Sequence, residues 1–280
     1  MTVRNIPSFI FSGASDPAAA DALLHHGVVV VRLPREAMHD FDFCAFTREQ
    51  REFVAPSADT VMVLGGFGAF GHASSYHHPA VRKLRHSLYT ATRPLLSRAT
   101  PGWFAELLPD RLCLRRAGTS VSSESWHRDI SDRNSGAHST VFGGWVNLDD
   151  EGASPQQFTC CPETHNGCAA DGAYGFAAIR GQDSQHYRKT SVQISVPPGC
   201  AIVFNEHIVH CVTARKSRVD SLRIFMKYRV CSSATPLFAP ELTAARIIDQ
   251  APFPLNDIEP CPPLFGKRHA SMWADRLSAF

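Results

Sequence analysis

The sequence predicts a mainly β chain, a double-stranded β-helix (jelly roll) with flanking α-helices from its N-terminal part. Three observations predict it. Eight short runs rich in β-branched and aromatic residues, at 111–116, 126–130, 141–148, 157–161, 191–196, 201–204, 208–213 and 222–230, are separated by clusters of Gly, Pro, Asn and Asp, the pattern of a sandwich or barrel. Ahead of them lie two stretches with helical spacing and helical caps. Finally, 280 residues with 44% hydrophobic and 19% charged side chains can bury one sizeable core.

The first helix is expected at 17–26. Asp16 offers an N-cap, Pro17 suits the first helical position, and Gly27 stands where the helix must end. A strand over 28–33 follows directly. The second helix is expected at 79–98, where Val81, Leu84, Leu88 and Leu95 recur along one face between basic residues; it reads as the amphipathic cover of a sheet. Between the helices, a strand at 60–64 leads into a Gly-rich loop at 64–78 that carries Phe67, Phe70, Tyr76, His77 and His78. The tail at 232–280 holds seven prolines between Pro236 and Pro263, a composition that wraps a domain rather than forming one. The chain is therefore read as one domain over 1–280, with N-terminal support at 1–110, a jelly-roll core at 111–231 and a C-terminal extension at 232–280.

Several function classes are excluded. A net charge of +2 with scattered Lys and Arg gives no polyanion-binding stripe, so no nucleic acid partner is expected. The N-terminal apolar run is too short for a secretory segment and no run reaches membrane-spanning length; a cytoplasmic protein without a membrane partner is expected. Nine cysteines, none spaced C-x-x-C, suggest neither a disulfide framework nor a zinc knuckle, and Cys160 and Cys161 should point to opposite faces of their strand. Two motifs are decoys. Gly66-Phe-Gly68-Ala-Phe-Gly71 fits G-x-G-x-x-G, and His127-Arg-Asp129 with Asn134 fits the H-R-D-x-x-x-x-N loop of protein kinases. No D-F-G or V-A-I-K accompanies them, and no βαβ alternation follows the glycines.

Chemistry concentrates in Trp126-His127-Arg128-Asp129. In a strand, residues i and i+2 share a face, so His127 and Asp129 converge. A third ligand should come from a late strand beside this one. His210 alternates with Ile208 and Val212 inside such a strand, whereas His207 falls in the turn Asn205-Glu206-His207; His210 is favoured. Two His and one carboxylate leave three positions open on one side of a metal, the arrangement of non-haem Fe(II) oxygenases, whereas structural zinc takes four closed ligands. Thirteen residues on, Arg223 lies in a half-apolar strand. A guanidinium there needs an anion, and a bidentate carboxylate fits best: the distal carboxylate of 2-oxoglutarate, or alternatively a protein acid such as Asp220 or Glu206. Arg229 shares its face.

With these residues in place, the chain resembles the phytanoyl-CoA dioxygenase-like Fe(II)/2-oxoglutarate-dependent oxygenases. The resemblance covers 110–230 and, more weakly, 20–33. It is carried by Trp126-His-Arg-Asp129, Trp145-Val-Asn-Leu-Asp-Asp150, Cys161-Pro-Glu-Thr-His165 where the family has a Pro-Gly-Ser-His turn, Pro198-Gly199 leading to His210, and Arg223. Two departures stand out: Ser154-Pro-Gln-Gln157 replaces the family's Asn-Gly, and the His210-to-Arg223 spacing is slightly long.

The resemblance implies that His127, Asp129 and His210 hold Fe(II), that Arg223 anchors 2-oxoglutarate, and that Trp145 contacts it, unless Trp145 is simply a core aromatic. Thr213 is a weak candidate for a hydroxyl contact. The implied function is a dioxygenase that hydroxylates a small-molecule substrate using dioxygen, with release of succinate and CO2. Retention of Asp129, which related halogenases replace by a small residue, implies oxidation rather than halogenation. The substrate lining is expected from loops at 64–78, 131–140 and 150–186. The competing readings are a non-catalytic jelly-roll binding protein and a cupin-like metalloenzyme that does not use 2-oxoglutarate.

Overall fold

A computed structural model of the chain describes residues 9–39, 41–42, 63–64, 69–70, 79–108, 112–115, 117–118, 120–121, 124–129, 139–167, 177–213, 215–216, 218–232 and 278–279. Residues 131–138 of the loop anticipated at 131–140, residues 168–176 of that at 150–186, nearly all of the Gly-rich loop and most of the C-terminal extension lie outside the described residues.

The N-terminal helix α1 (Pro17–His26) forms where its caps place it. Asp16 accepts a hydrogen bond from the Ala18 N–H, and Gly27 ends the helix at φ +75°. Glycine is required there twice over. The left-handed backbone disfavours any side chain, and a Cβ would stand 2.4 Å from His165 Nδ1. The second helix, α2 (Pro79–Ala99), buries Val81, Leu84, Leu88 and Leu95 as its spacing predicts, each worth roughly 1.5–3 kcal/mol of removed apolar surface.

Both helices cover one face of a ten-stranded sheet. Its order is β1 (Ile10–Phe11), β2 (Val28–Arg32), β13 (Cys200–Asn205), β9 (Ser139–Asn147), β16 (Ser221–Cys231), β6 (Leu112–Arg115), β4 (Ala69–Phe70) and β3 (Val63–Leu64). β5 (Phe104–Leu108) branches from β16 and pairs with β17 (Ser278–Ala279). A five-stranded sheet runs β11 (Ala177–Ala178), β8 (Glu124–Arg128), β14 (Val209–Val212), β10 (Gln156–Cys161), β12 (Val192–Val196), and β7 (Ser120–Val121) pairs β15 (Arg215–Lys216) in a ribbon.

The eight sequence-predicted strands follow one path: β6 in the large sheet, β8 in the small, β9 large, β10 and β12 small, β13 large, β14 small, β16 large. The four-strand blocks β13-β9-β16-β6 and β8-β14-β10-β12 are antiparallel throughout. That is the double-stranded β-helix, and the mainly β prediction holds. The two sheets enclose Trp145, Phe158, Cys160, Ile194, Val196, Ile202 and Phe204. β2 explains its own composition: Val28 and Val30 face this interior while Val29 and Val31 pack under the helices, so a strand covered on both sides reads as an unbroken valine run.

Most strand boundaries differ from the sequence expectation by one or two residues, and elements that the sequence did not predict appear, α3 among them. The strand expected at 126–130 ends at Arg128, so Asp129 is the first residue beyond it, as suits a side chain poor in strands. The strand expected from 191 starts at Val192. Within the expected loop at 150–186, α3 (Gly181–Thr190) forms and lies over the outer face of the small sheet, where Tyr187 packs with Trp126, Cys161 and Val209. Cys160 faces the barrel interior and Cys161 this outer layer, on opposite faces as expected.

Candidate metal centre

β8 and β14 lie side by side, and their register sets His127 directly across from His210, with an irregularity just beyond at Val212. Chain direction thus brings together two imidazoles distant in sequence. Asp129, one residue past the end of β8, turns its carboxylate between them. Asp129 Oδ1 stands 3.7 Å from His127 Nε2 and Oδ2 stands 3.4 Å from His210 Nε2. The imidazole rings are 4.2 Å apart, centroid to centroid. All three donor atoms lie within 4.8 Å of one another.

The surroundings fit a metal. His210 Nδ1 lies 3.1 Å from the Ile208 carbonyl; donating there leaves the Nε2 lone pair aimed at the triad, the tautomer that a metal ligand needs. Phe158 and Phe204 lie 5.4 and 5.3 Å from the His210 ring and 4.8 Å from each other, so the imidazole is held in an apolar slot. Withdrawal from water pushes the Asp129 carboxyl up. Where the imidazoles are protonated, the charge and Nε2–H hydrogen bond of His210, with the charges of His127 and Lys227, outweigh it and hold the carboxyl well below the usual range; a cation held by the neutral rings would act in the same direction. Asp129 is therefore an anion at any physiological pH. Both histidines are buried whereas Asp129 keeps 36% of its side chain exposed, so the donors face outward on one side.

His207 lies in the turn before β14, as expected. It is fixed by its backbone: its N–H donates to Asn205 Oδ1, and its carbonyl accepts from Arg128, which also donates to Thr164 O at 2.6 Å.

Arg223 enters the barrel from the first part of β16, 6% exposed. Its guanidinium carbon lies 4.7 Å above the Trp145 ring and 5.6 Å from Phe225. The sequence-level alternatives for its partner have engagements of their own: Glu206 pairs with Lys227 at 2.8 Å, and Asp220 accepts the Ala117 N–H at 2.7 Å. Near Arg223 the barrel floor is a polar lattice. Gln156 Nε2 donates to Asn147 Oδ1, to Asp149 Oδ2 and to the Leu222 carbonyl, while Asp149 Oδ1 accepts the Leu222 N–H. Burial raises the Asp149 carboxyl against the pull of these donors and of the Arg223 charge. Trp145 is a core aromatic, one of the two readings the sequence allowed, and its ring lies beneath Arg223. Thr213 is exposed just past β14, and the Arg229 side chain lies outside the described residues.

Sequence reasoning missed the Lys227–Glu206 pair. Glu206 is 1% exposed, and Lys227 follows Arg223 and Phe225 on one face of β16, where its charge reaches Asp129. Gly143, across from Lys227, leaves the space: a Cβ there would meet Phe204 at 3.1 Å and Glu206 at 3.3 Å. Period-two spacing from Arg223 was the available signal.

No family model and no curated protein matches the chain. Solved structures do. SnoK, the non-heme alpha ketoglutarate dependent carbocyclase from nogalamycin biosynthesis, is 15% identical with a TM-score of 0.57, covering 91% of this chain and 96% of SnoK. EctD from S. alaskensis, solved with 2-oxoglutarate and 5-hydroxyectoine, is 15% identical at a TM-score of 0.51, covering 80% of this chain and 81% of its own. The non-heme alpha ketoglutarate dependent epimerase SnoN, also from nogalamycin biosynthesis, is 15% identical at 0.50, covering 76% and 81%. The chain thus has the jelly-roll fold found in non-haem 2-oxoglutarate-dependent oxygenases. The narrower phytanoyl-CoA dioxygenase-like resemblance rests on the sequence motifs alone and is not shown by these comparisons.

Proposed function

We propose that the chain is a non-haem Fe(II)/2-oxoglutarate-dependent dioxygenase that hydroxylates a small-molecule substrate, with His127, Asp129 and His210 as iron ligands and Arg223 as the co-substrate anchor. One observation carries the reading: two imidazoles and an ionised carboxylate converge on the small sheet, and the facing sheet presents a buried arginine beside Trp145 in the barrel interior. Nitrogen and oxygen donors in a facial set suit ferrous iron. When bound, iron and 2-oxoglutarate supply the oxidising chemistry, in which dioxygen is reduced, 2-oxoglutarate becomes succinate and CO2, and a substrate C–H bond is hydroxylated.

The protein's own residues do the rest. Asp129 would compensate the charge of a cation held with the two imidazoles, and its partly exposed carboxylate marks the side open to further ligands. Arg223, buried in the barrel four residues before Lys227 on the same face of β16, would hold the distal carboxylate of 2-oxoglutarate through a bidentate pair. The Trp145 ring, 4.7 Å from the guanidinium carbon, shields that guanidinium from water, which strengthens a bidentate pair. Phe158 and Phe204 exclude water behind His210.

Anaerobic titration with Fe(II) and then 2-oxoglutarate tests the assignment, the expected signal being a weak visible charge-transfer band. Asp129→Ala should weaken Fe(II) binding by more than about 100-fold, beyond what loss of a supporting hydrogen bond costs. Absence of the band together with unchanged metal affinity in Asp129→Ala would overturn the triad. Succinate release across a panel of small molecules then identifies the substrate.

A further inference from the structure

A second set of metal-ligating side chains converges where α1 ends. His25 and His26 occupy its last turn, and Glu163 sits in the turn after β10, 137 residues farther along the chain. Glu163 Oε1 stands 3.1 Å from His26 Nδ1 and 3.8 Å from His25 Nε2, and the three donor atoms lie within 4.8 Å of one another. Donors around a tetrahedral ion at about 2.0–2.1 Å are roughly 3.3 Å apart, so small side-chain rotations suffice to close the set on a cation.

Glu163 is held in place by its backbone. It is the one non-glycine with positive φ among the described residues, at +70°, in the turn where the resembling family carries glycine. Its N–H donates to the His26 carbonyl at 2.9 Å. His26 is braced in turn, with Phe9 edge-on at 5.5 Å and the His25 ring at 4.5 Å. The C-terminal end of a helix carries partial negative charge, and the Glu163 carboxylate adds to it, so the local field favours a cation. His25 and Glu163 keep 73% and 57% of their side chains exposed, leaving the donors accessible from solvent. An exposed His–Glu contact contributes little by itself, whereas an L-residue held at positive φ is strained. The strain is better accounted for by an occupant that all three side chains share.

We propose that His25, His26 and Glu163 form a second divalent-metal site, separate from the triad, suited to an ion of the zinc class. The ion fastens the end of α1 to the turn after β10. That turn also carries Thr164, whose hydroxyl accepts the Val209 N–H at 2.9 Å and whose carbonyl accepts from Arg128. The fastened segment is thus the one that braces the strands bearing His210 and His127.

The proposal is independent of the oxygenase reading, and its test uses zinc alone. Equilibrium dialysis of the tag-free full chain is expected to show two Zn(II) equivalents, and one in a chain carrying His127→Ala and His210→Ala. Adding Glu163→Gly, which removes the carboxylate and suits the backbone at +70°, should remove one equivalent from either chain or weaken it at least tenfold. Zinc should raise the Tm of the chain with His127→Ala and His210→Ala and leave its Glu163→Gly derivative unmoved. Should the double substitution unfold the chain, the wild-type comparison alone decides. A stoichiometry and affinity unaltered by Glu163→Gly, or no zinc bound to the folded triad-less chain, overturns the proposal.

Discussion

Arg223 is the residue on which the co-substrate assignment turns, and Arg223→Met is the sharpest way to probe it. Methionine keeps an unbranched stem in the space beside Trp145 and Phe225 while removing the charge. The stack forgone is worth about 0.5–2 kcal/mol, so the folded chain should survive. The co-substrate loses far more. Truncating one partner of a desolvated, hydrogen-bonded charge pair costs about 2–5 kcal/mol, which at 1.4 kcal/mol per decade is a 30- to 4,000-fold weaker 2-oxoglutarate affinity. Arg223→Lys restores charge without the planar fork and is expected to fall between. The assay is the anaerobic charge-transfer titration, with succinate release under air as a second readout. If Arg223→Met keeps its far-UV spectrum and unfolding midpoint and binds 2-oxoglutarate within about threefold of wild type, a loss under 1 kcal/mol, the anchor lies elsewhere and the Arg223 assignment fails; if neither chain binds 2-oxoglutarate, the co-substrate reading itself fails.

Three further outcomes follow from the geometry. Lys227→Met leaves the buried Glu206 carboxylate without its ammonium partner and should destabilise the fold by about 3 kcal/mol, the lower end for a broken buried pair because Lys227 is partly exposed; adding Glu206→Gln should recover most of this in urea unfolding. Gly144→Ala places a Cβ 2.1 Å from the Ile202 carbonyl oxygen on the neighbouring strand, a clash with backbone that should cost about 3 kcal/mol or more and show as a lowered urea midpoint at unchanged m-value. His165 governs a pH effect: burial lowers its pKa below 6.5, and its Nδ1, already without a hydrogen-bond partner, would gain a proton there while Nε2 engages the Leu24 carbonyl. Because the unfolded chain then binds the proton more tightly, this contribution to stability is complete above pH 6.5 and is lost as pH falls through the lower folded pKa. The pH slope of the unfolding midpoint below 6.5 should flatten in His165→Asn, and an unaltered slope would place the effect elsewhere.

The barrel strands are legible in the sequence because a sheet covered on one or both faces writes its burial into side-chain order: alternation in 222–230, an unbroken valine run in β2. α1 is legible from its caps alone. α3 is not, since Gly-Gln-Asp-Ser-Gln-His-Tyr-Arg-Lys-Thr has no apolar period and the helix docks chiefly through Tyr187. At the centre, alternation predicts that His127 and Asp129 share a side, and the structure brings both to His210 even though Asp129 has already left the strand. The Lys227–Glu206 pair and the His25–His26–Glu163 cluster are another matter. Each joins residues distant in sequence whose types suggest ordinary solvated surface, and only cross-strand register or the landing point of a turn reveals the meeting.

The residue facing His210 across the strand pair β10–β14 is Cys160, fully buried among apolar side chains, where desolvation raises its thiol pKa far above the ordinary value. Beside the proposed iron ligands, a sulfur would be a hazard if it ionised, because thiolate draws soft metals and is the form that peroxide attacks. Kept as a thiol, Cys160 behaves as a small hydrophobe. On the proposed iron assignment, the apolar packing behind His210 would then also disfavour capture of soft metals and oxidation of the sulfur, and Cys160→Ser, which swaps the sulfur for a hydroxyl of similar size, is expected to leave the Fe(II) stoichiometry unchanged if Cys160 only fills space.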